Sequence, residues 1–127
     1  MTLKSSAGFP EITGAVLVSK TSTDTTVYYN ITNGEGTLRA MAIKNIHGSH
    51  DAFVQIFDRT LAIGAGATAP DMQIPAKADT LHVLYFTPGI KFTNGLSFYV
   101  SKGATGSAEA ETNPTSGVAI HFFYNPV

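Results

Sequence analysis

Leu96, Phe98 and Val100 alternate with Ser97, Tyr99 and Ser101, and a side chain that changes sides at every residue belongs to an extended strand, because successive Cβ atoms of a pleated chain point to opposite faces. The same period of two recurs in Val118, Ile120, Phe122 and Tyr124 against Ala119, His121 and Phe123, and in Leu81, Val83 and Tyr85 against His82, Leu84 and Phe86. No stretch repeats its apolar residues every three to four positions over a useful length. The pattern predicts an all-β chain.

Breakers divide it into short runs. Ile12 to Lys20 reads as a strand with both faces partly covered, and Thr25 to Thr32 reads as a strand because it is dense in β-branched and aromatic residues. Asn33-Gly34 accepts positive φ at both central positions of a hairpin turn, which predicts that this run pairs antiparallel with the strand beginning at Thr37. Ala52 to Asp58 is a strand by composition, with Val54 and Ile56 opposite Phe53 and Phe57 and both faces expected to be buried. Thr60 to Pro70 is a long connection, and Met72 to Pro75 is a short edge strand, since Pro75 cannot donate to a ladder. Thr80 to Thr87 is closed by a turn at Pro88-Gly89, with Ile90 and Phe92 as a short strand beyond it. Leu96 to Ser101 is the cleanest one-sided strand, which predicts a wet face at Ser97, Tyr99 and Ser101. Gly103 to Gly117 is a polar loop of small residues before the last strand.

About eight or nine short strands with turn signals every 8 to 12 residues or so predict a two-sheet antiparallel β-sandwich, jelly-roll-like in its connections. The 127 residues fit one core. Residues 1–10 read as an N-terminal arm and residues 11–127 as a single sandwich domain. Phe53, Phe57, Leu84, Phe98 and Phe122 are the expected core aromatics and aliphatics.

Charge narrows the partners. Only 13% of residues are charged, about half the usual share, so the surface is covered by something other than Lys and Glu, which favours contact with other subunits. Eight Lys and Arg are scattered along a chain of net charge −1, which argues against nucleic acid. The absence of cysteine removes disulfides, thiolate metal sites and cysteine nucleophiles, and it is compatible with assembly in a reducing cytoplasm. Ala15 to Val18 is the longest aliphatic run near the start, too short for a signal-peptide core or a membrane span. The chain reads as soluble and unprocessed, with no membrane partner.

Chemistry has few candidates. His47, His50 and Asp51 share a loop and have the residue types of a metal site, but no third distant ligand accompanies them, so the expectation is no metal and no cofactor. His82 and His121 sit on strands and read as half-buried, hydrogen-bonded side chains, or as neighbours facing one another across two strands. Glu109 and Glu111 fall in a small-residue loop that reads as flexible, a poor support for paired-carboxylate catalysis. No nucleophile, base and orienting group can be named as a set, so no catalytic residue is assigned and the chain is expected not to be an enzyme. Tyr28, Tyr29, Tyr85, Tyr99 and Tyr124 leave a glycan-binding platform as the alternative reading.

The units Val54 to Asp58, Pro70 to Pro75, Leu81 to Phe86 and Gly89 to Leu96, followed by Gly117 to Pro126, resemble a β-sandwich domain of tailed-bacteriophage virion proteins. The similarity covers a little over half of the chain. It implies a structural viral protein, most like a capsid decoration or cement protein that binds the major capsid protein on the outside of the shell as a homotrimer, assembled in the host cytoplasm and carried on the virion. The alternative it leaves open is a tail- or fibre-associated receptor-binding module for glycans. Contact with shell subunits is expected from the arm (Thr2, Leu3, Lys4, Phe9, Pro10), the loop with His47, His50 and Asp51, the loop with Leu61 and Ile63, and the loop Gly103 to Thr115.

Overall fold

The computed structural model describes residues 16–115 and 117–127. Seven strands form two antiparallel sheets: β1 (Val16–Thr23), β2 (Gly36–Asn45), β3 (Ala52–Asp58), β4 (Met72–Ala76), β5 (Thr80–Phe92), β6 (Leu96–Ser101) and β7 (Val118–Pro126). The four-stranded sheet has the order β1-β7-β2-β5, and the three-stranded sheet has the order β4-β3-β6.

Between the sheets lies the main core. Leu38, Met41 and Ile43 from β2 meet Val54 and Ile56 from β3, Phe98 and Val100 from β6, and Ile120 and Phe122 from β7. The rings of Phe98 and Phe122 lie 5.0 Å apart across the gap, the tilted contact that aromatic pairs favour. Phe57, Phe98 and Phe122 are fully buried, as expected, whereas Leu84 only packs against the rim of the core and Phe53 is half-buried on the far side of β3.

The run Thr25 to Thr32 is not a regular strand. A single bridge joins Tyr28 to Phe98, and the segment follows the free edge of β6 through Tyr28 N to Phe98 O at 2.9 Å and Ile31 N to Leu96 O at 2.8 Å. Asn30, at φ 48, interrupts the ladder, and the Ser97 hydroxyl accepts from its amide instead. Asn33 and Gly34 do take positive φ, but they carry the chain from one sheet to the other and close no hairpin. With this segment counted as an eighth strand, the two sheets read 1-8-3-6 and 5-4-7-2, the double Greek-key order of a jelly roll.

Two other elements depart from the sequence reading. β5 does not turn at Pro88-Gly89. It runs on to Phe92 and bulges, placing Phe86 to Gly89 opposite the single residue Arg39 of β2, whose guanidinium donates to the Pro88 carbonyl. Among the described residues the first strand covers Val16–Thr23, running past Lys20, and Ile12 to Ala15 lie outside the described residues. Met72 to Pro75 is the edge strand its proline required.

Candidate functional site

The outer faces of the two sheets differ, and the difference begins with single residues. Ser97, Tyr99 and Ser101 on β6 are all buried, so the expected wet face is absent. Loops fold over it. The Ser97 hydroxyl donates to the Arg59 carbonyl, the Tyr99 hydroxyl accepts from Gly66 N at 2.9 Å, and the Ser101 hydroxyl donates to Gly103 O at 2.7 Å. Gln55, wholly buried on β3, donates to Gln73 and Ser101 and accepts from the Thr105 hydroxyl. Under the loop between β3 and β4, Ile63 joins Phe57 and Tyr99 in a second apolar cluster. A strand that alternates polar and apolar residues can therefore be buried on both sides when its polar atoms find loop partners.

On the outside of the four-stranded sheet, register places Leu17, Phe123, Ala40 and Tyr85 in one row across the strands, with Ser19, His121, Ala42 and Val83 in the next and Ala119, Lys44 and Leu81 beyond. Directly opposed residues of antiparallel strands share a face, and these three rows alternate with the core residues Phe122, Met41, Ile120 and Ile43. Ala40, at the centre of the first row, is buried at 2% exposure. Leu17 is 51% exposed, Leu81 64%, Val83 45% and Tyr85 46%. These rows hold Lys44 and a hydrogen-bonded histidine, His121, whose Nδ1 lies 2.7 Å from the Ser19 hydroxyl, and the same face continues through Thr37, Lys91 and Asn125, the last bonded to Arg39. A contiguous apolar patch on a sheet face is a surface built for contact.

No protein-family model, curated protein or solved structure matches the chain.

The residues expected to make contacts fall on different parts of the molecule. His47, His50 and Asp51 form one exposed corner between β2 and β3, beside the turn that opens β5. His47 Nδ1 accepts from the amides of Ser49 and His50 at 3.1 and 3.0 Å, and the two histidine rings sit 4.6 Å apart. Asp51 takes the Ala78 amide and the Lys77 ammonium, and these two partners hold its carboxyl below the ordinary value. Among the described residues no group of three or more His, Asp or Glu side chains is placed to hold a metal ion.

Leu61 is 68% exposed, but Ile63, two residues on, is 6% exposed and belongs to the interior, so it is withdrawn from the contact set. The reason is the loop's own fold: the Tyr29 hydroxyl donates to Ile63 O and accepts from Ile63 N, which turns the side chain inward onto Phe57 and Tyr99. Thr2, Leu3, Lys4, Phe9 and Pro10 lie outside the described residues.

The Gly103 to Thr115 loop is folded, not loose. Lys102 N donates to Thr112 O, Gly103 N donates to Glu109 O, and Ala110 is buried beneath it. Glu109 pairs with Lys102 at 3.6 Å. His82 and His121 are on opposite faces of the four-stranded sheet, opposed to Ile43 and Ala42 respectively, so they do not face one another. Tyr99 and Tyr124 are buried, Tyr28 is half-buried and stacked on Phe98, and the two most exposed tyrosines, Tyr29 and Tyr85, lie apart, one in the segment along β6 and the other on β5.

Sequence reasoning did not single out Leu17, Val83 or Phe123, and it picked Tyr85 only as a possible glycan contact. A signal was present: in Leu81 to Phe86 both parities are apolar apart from His82, and a strand needs that on both faces only when both are covered.

Proposed function

We propose that this chain is a structural subunit of a virion, of the kind that decorates and stabilises a capsid from outside, and that it works by association and not by catalysis. The observation that carries the associative part is the contrast between the two outer faces: one is sealed by the protein's own loops, and among the described residues the other exposes the large apolar side chains Leu17, Leu81 and Val83. The virion assignment draws on the phage-like units at Val54 to Asp58, Pro70 to Pro75, Leu81 to Phe86 and Gly89 to Leu96.

In this reading copies join through the open face of the four-stranded sheet into a homo-oligomer. Loops at the ends of the sandwich, His47 to Asp51 and the exposed Leu61 among them, then bridge neighbouring major capsid subunits. Each added contact raises the avidity of the whole oligomer for the shell, because the second and later contacts form within one complex. The protein ends on the capsid surface after assembly in the host cytoplasm.

The test is binding to emptied shells followed by counting copies per particle. Saturation at hundreds of copies over the head is the expected result. A handful of copies at the tail, or no retention on shells, rejects the decorating role.

A further inference from the structure

The corner between β2 and β3 is a turn held at two levels. At its base the buried Asn45 accepts from His47 N at 3.1 Å and donates to His50 O at 3.0 Å and Ala76 O at 2.9 Å. At its tip a single ring nitrogen, His47 Nδ1, accepts from two amides, Ser49 N at 3.1 Å and His50 N at 3.0 Å. A neutral imidazole has one acceptor nitrogen and one N–H, so these two bonds fix the tautomer: the lone pair lies on Nδ1 and the proton on Nε2. A protonated ring donates from both nitrogens. Its Nδ1–H then meets two other N–H groups, and neither bond survives.

We propose that His47 is a proton-operated latch on this corner: neutral, it closes the turn over residues 47–50, and protonated, it releases the tip while Asn45 keeps the base in place. Histidine is the side chain whose charge changes between about pH 5 and 8. The charged groups around the corner are Lys44 at the end of β2, Asp51 on the same loop, and Lys77 and Asp79 on the turn between β4 and β5, where the Asp79 amide donates to His47 O at 2.8 Å. None of them is placed to hold a charged His47 in the closed turn. Asp51 is committed to the Lys77 ammonium and the Ala78 amide, and among the described residues no carboxylate forms an ion pair with either histidine. The His50 ring, 4.6 Å from that of His47, adds a like charge when both are protonated, which favours opening. The consequence rests on the shell contact proposed above for this loop: a corner that changes shape on acidification loosens its grip on the partner.

Nitrogen-15 NMR of the full 127-residue chain reads the latch directly. At about pH 8 the His47 ring is expected as the Nε2–H tautomer. Between about pH 8 and 5 the Ser49 and His50 amide signals should move together with that ring, while those of Ala52 to Asp58 stay in place. H47N keeps a side-chain oxygen that accepts hydrogen bonds and does not titrate, so its Ser49 and His50 signals should stay still. Affinity for emptied shells should fall about tenfold over the same range in the natural protein, the scale of two lost hydrogen bonds, and stay level in H47N. An Nδ1–H tautomer at the higher pH overturns the latch, and because it is read on the natural protein it decides even where H47N fails to fold. Amide signals that do not move, or that move equally in H47N, also overturn it. Signals that move only in the natural protein, with no shell binding at either pH, leave the latch standing and reject the shell contact.

Discussion

Asp58 shows how one side chain fastens a joint between the sheets. It ends β3, and its carboxylate accepts from Thr93 N at 2.9 Å and from Asn94 N and Gly95 N at 2.8 and 3.3 Å, the turn by which β5 hands over to β6. Gly95 sits at φ 133, which lets the third amide point at the carboxylate. Burial raises the carboxyl's pKa, but the three amides outweigh it and leave it below the ordinary value. A depressed folded pKa contributes stability above the unfolded value of about 3.9 and loses it as pH falls through the folded value. D58N should therefore cost about 1–3 kcal/mol at neutral pH. In urea titrations the gap between D58N and the natural protein should narrow below about pH 4, and a gap that stays constant to lower pH would contradict the assignment.

At the scale of elements, a run was legible where apolar side chains alone decided it. Leu38, Met41 and Ile43, Val54 and Ile56, and Ile120 and Phe122 mark β2, β3 and β7 directly, because their periodicity is the core. Thr25 to Thr32 misled because β-branched residues report only a fit to extended backbone, and the positive φ of Asn30 depends on tertiary partners in β6. The covered face of β6 was hidden for a related reason: Ser97, Tyr99 and Ser101 are polar, and only their loop partners, more than thirty residues away for Arg59 and Gly66, make burial tolerable. The open face was half legible, in the two apolar parities of Leu81 to Phe86, but which of them looks outward depends on pairing with β2. One prediction belongs here. I63A should cost about 2–5 kcal/mol and open the loop between β3 and β4 to limited proteolysis before the sheets unfold; cleavage unchanged from the natural protein would show that the second cluster does not hold the loop.

The described residues form a sandwich in which one outer face is covered by loops and the other exposes Leu17, Leu81 and Val83. Its low charge, 13% of residues, has a place in this picture: the strands of the four-stranded sheet spend their outward positions on Leu17, Phe123, Ala42 and Val83, where a solitary protein would carry Lys and Glu. A42D puts a charge in the middle of that face without touching the core, so it should dissociate the oligomer while leaving the melting transition of the subunit cooperative. The reading of this chain as a shell-binding subunit depends on its associating with other copies. Light scattering of the purified natural protein through serial dilution measures this most directly: a mass that is a fixed multiple of 13.4 kDa is the expected result, and a mass of 13.4 kDa at every concentration contradicts the account.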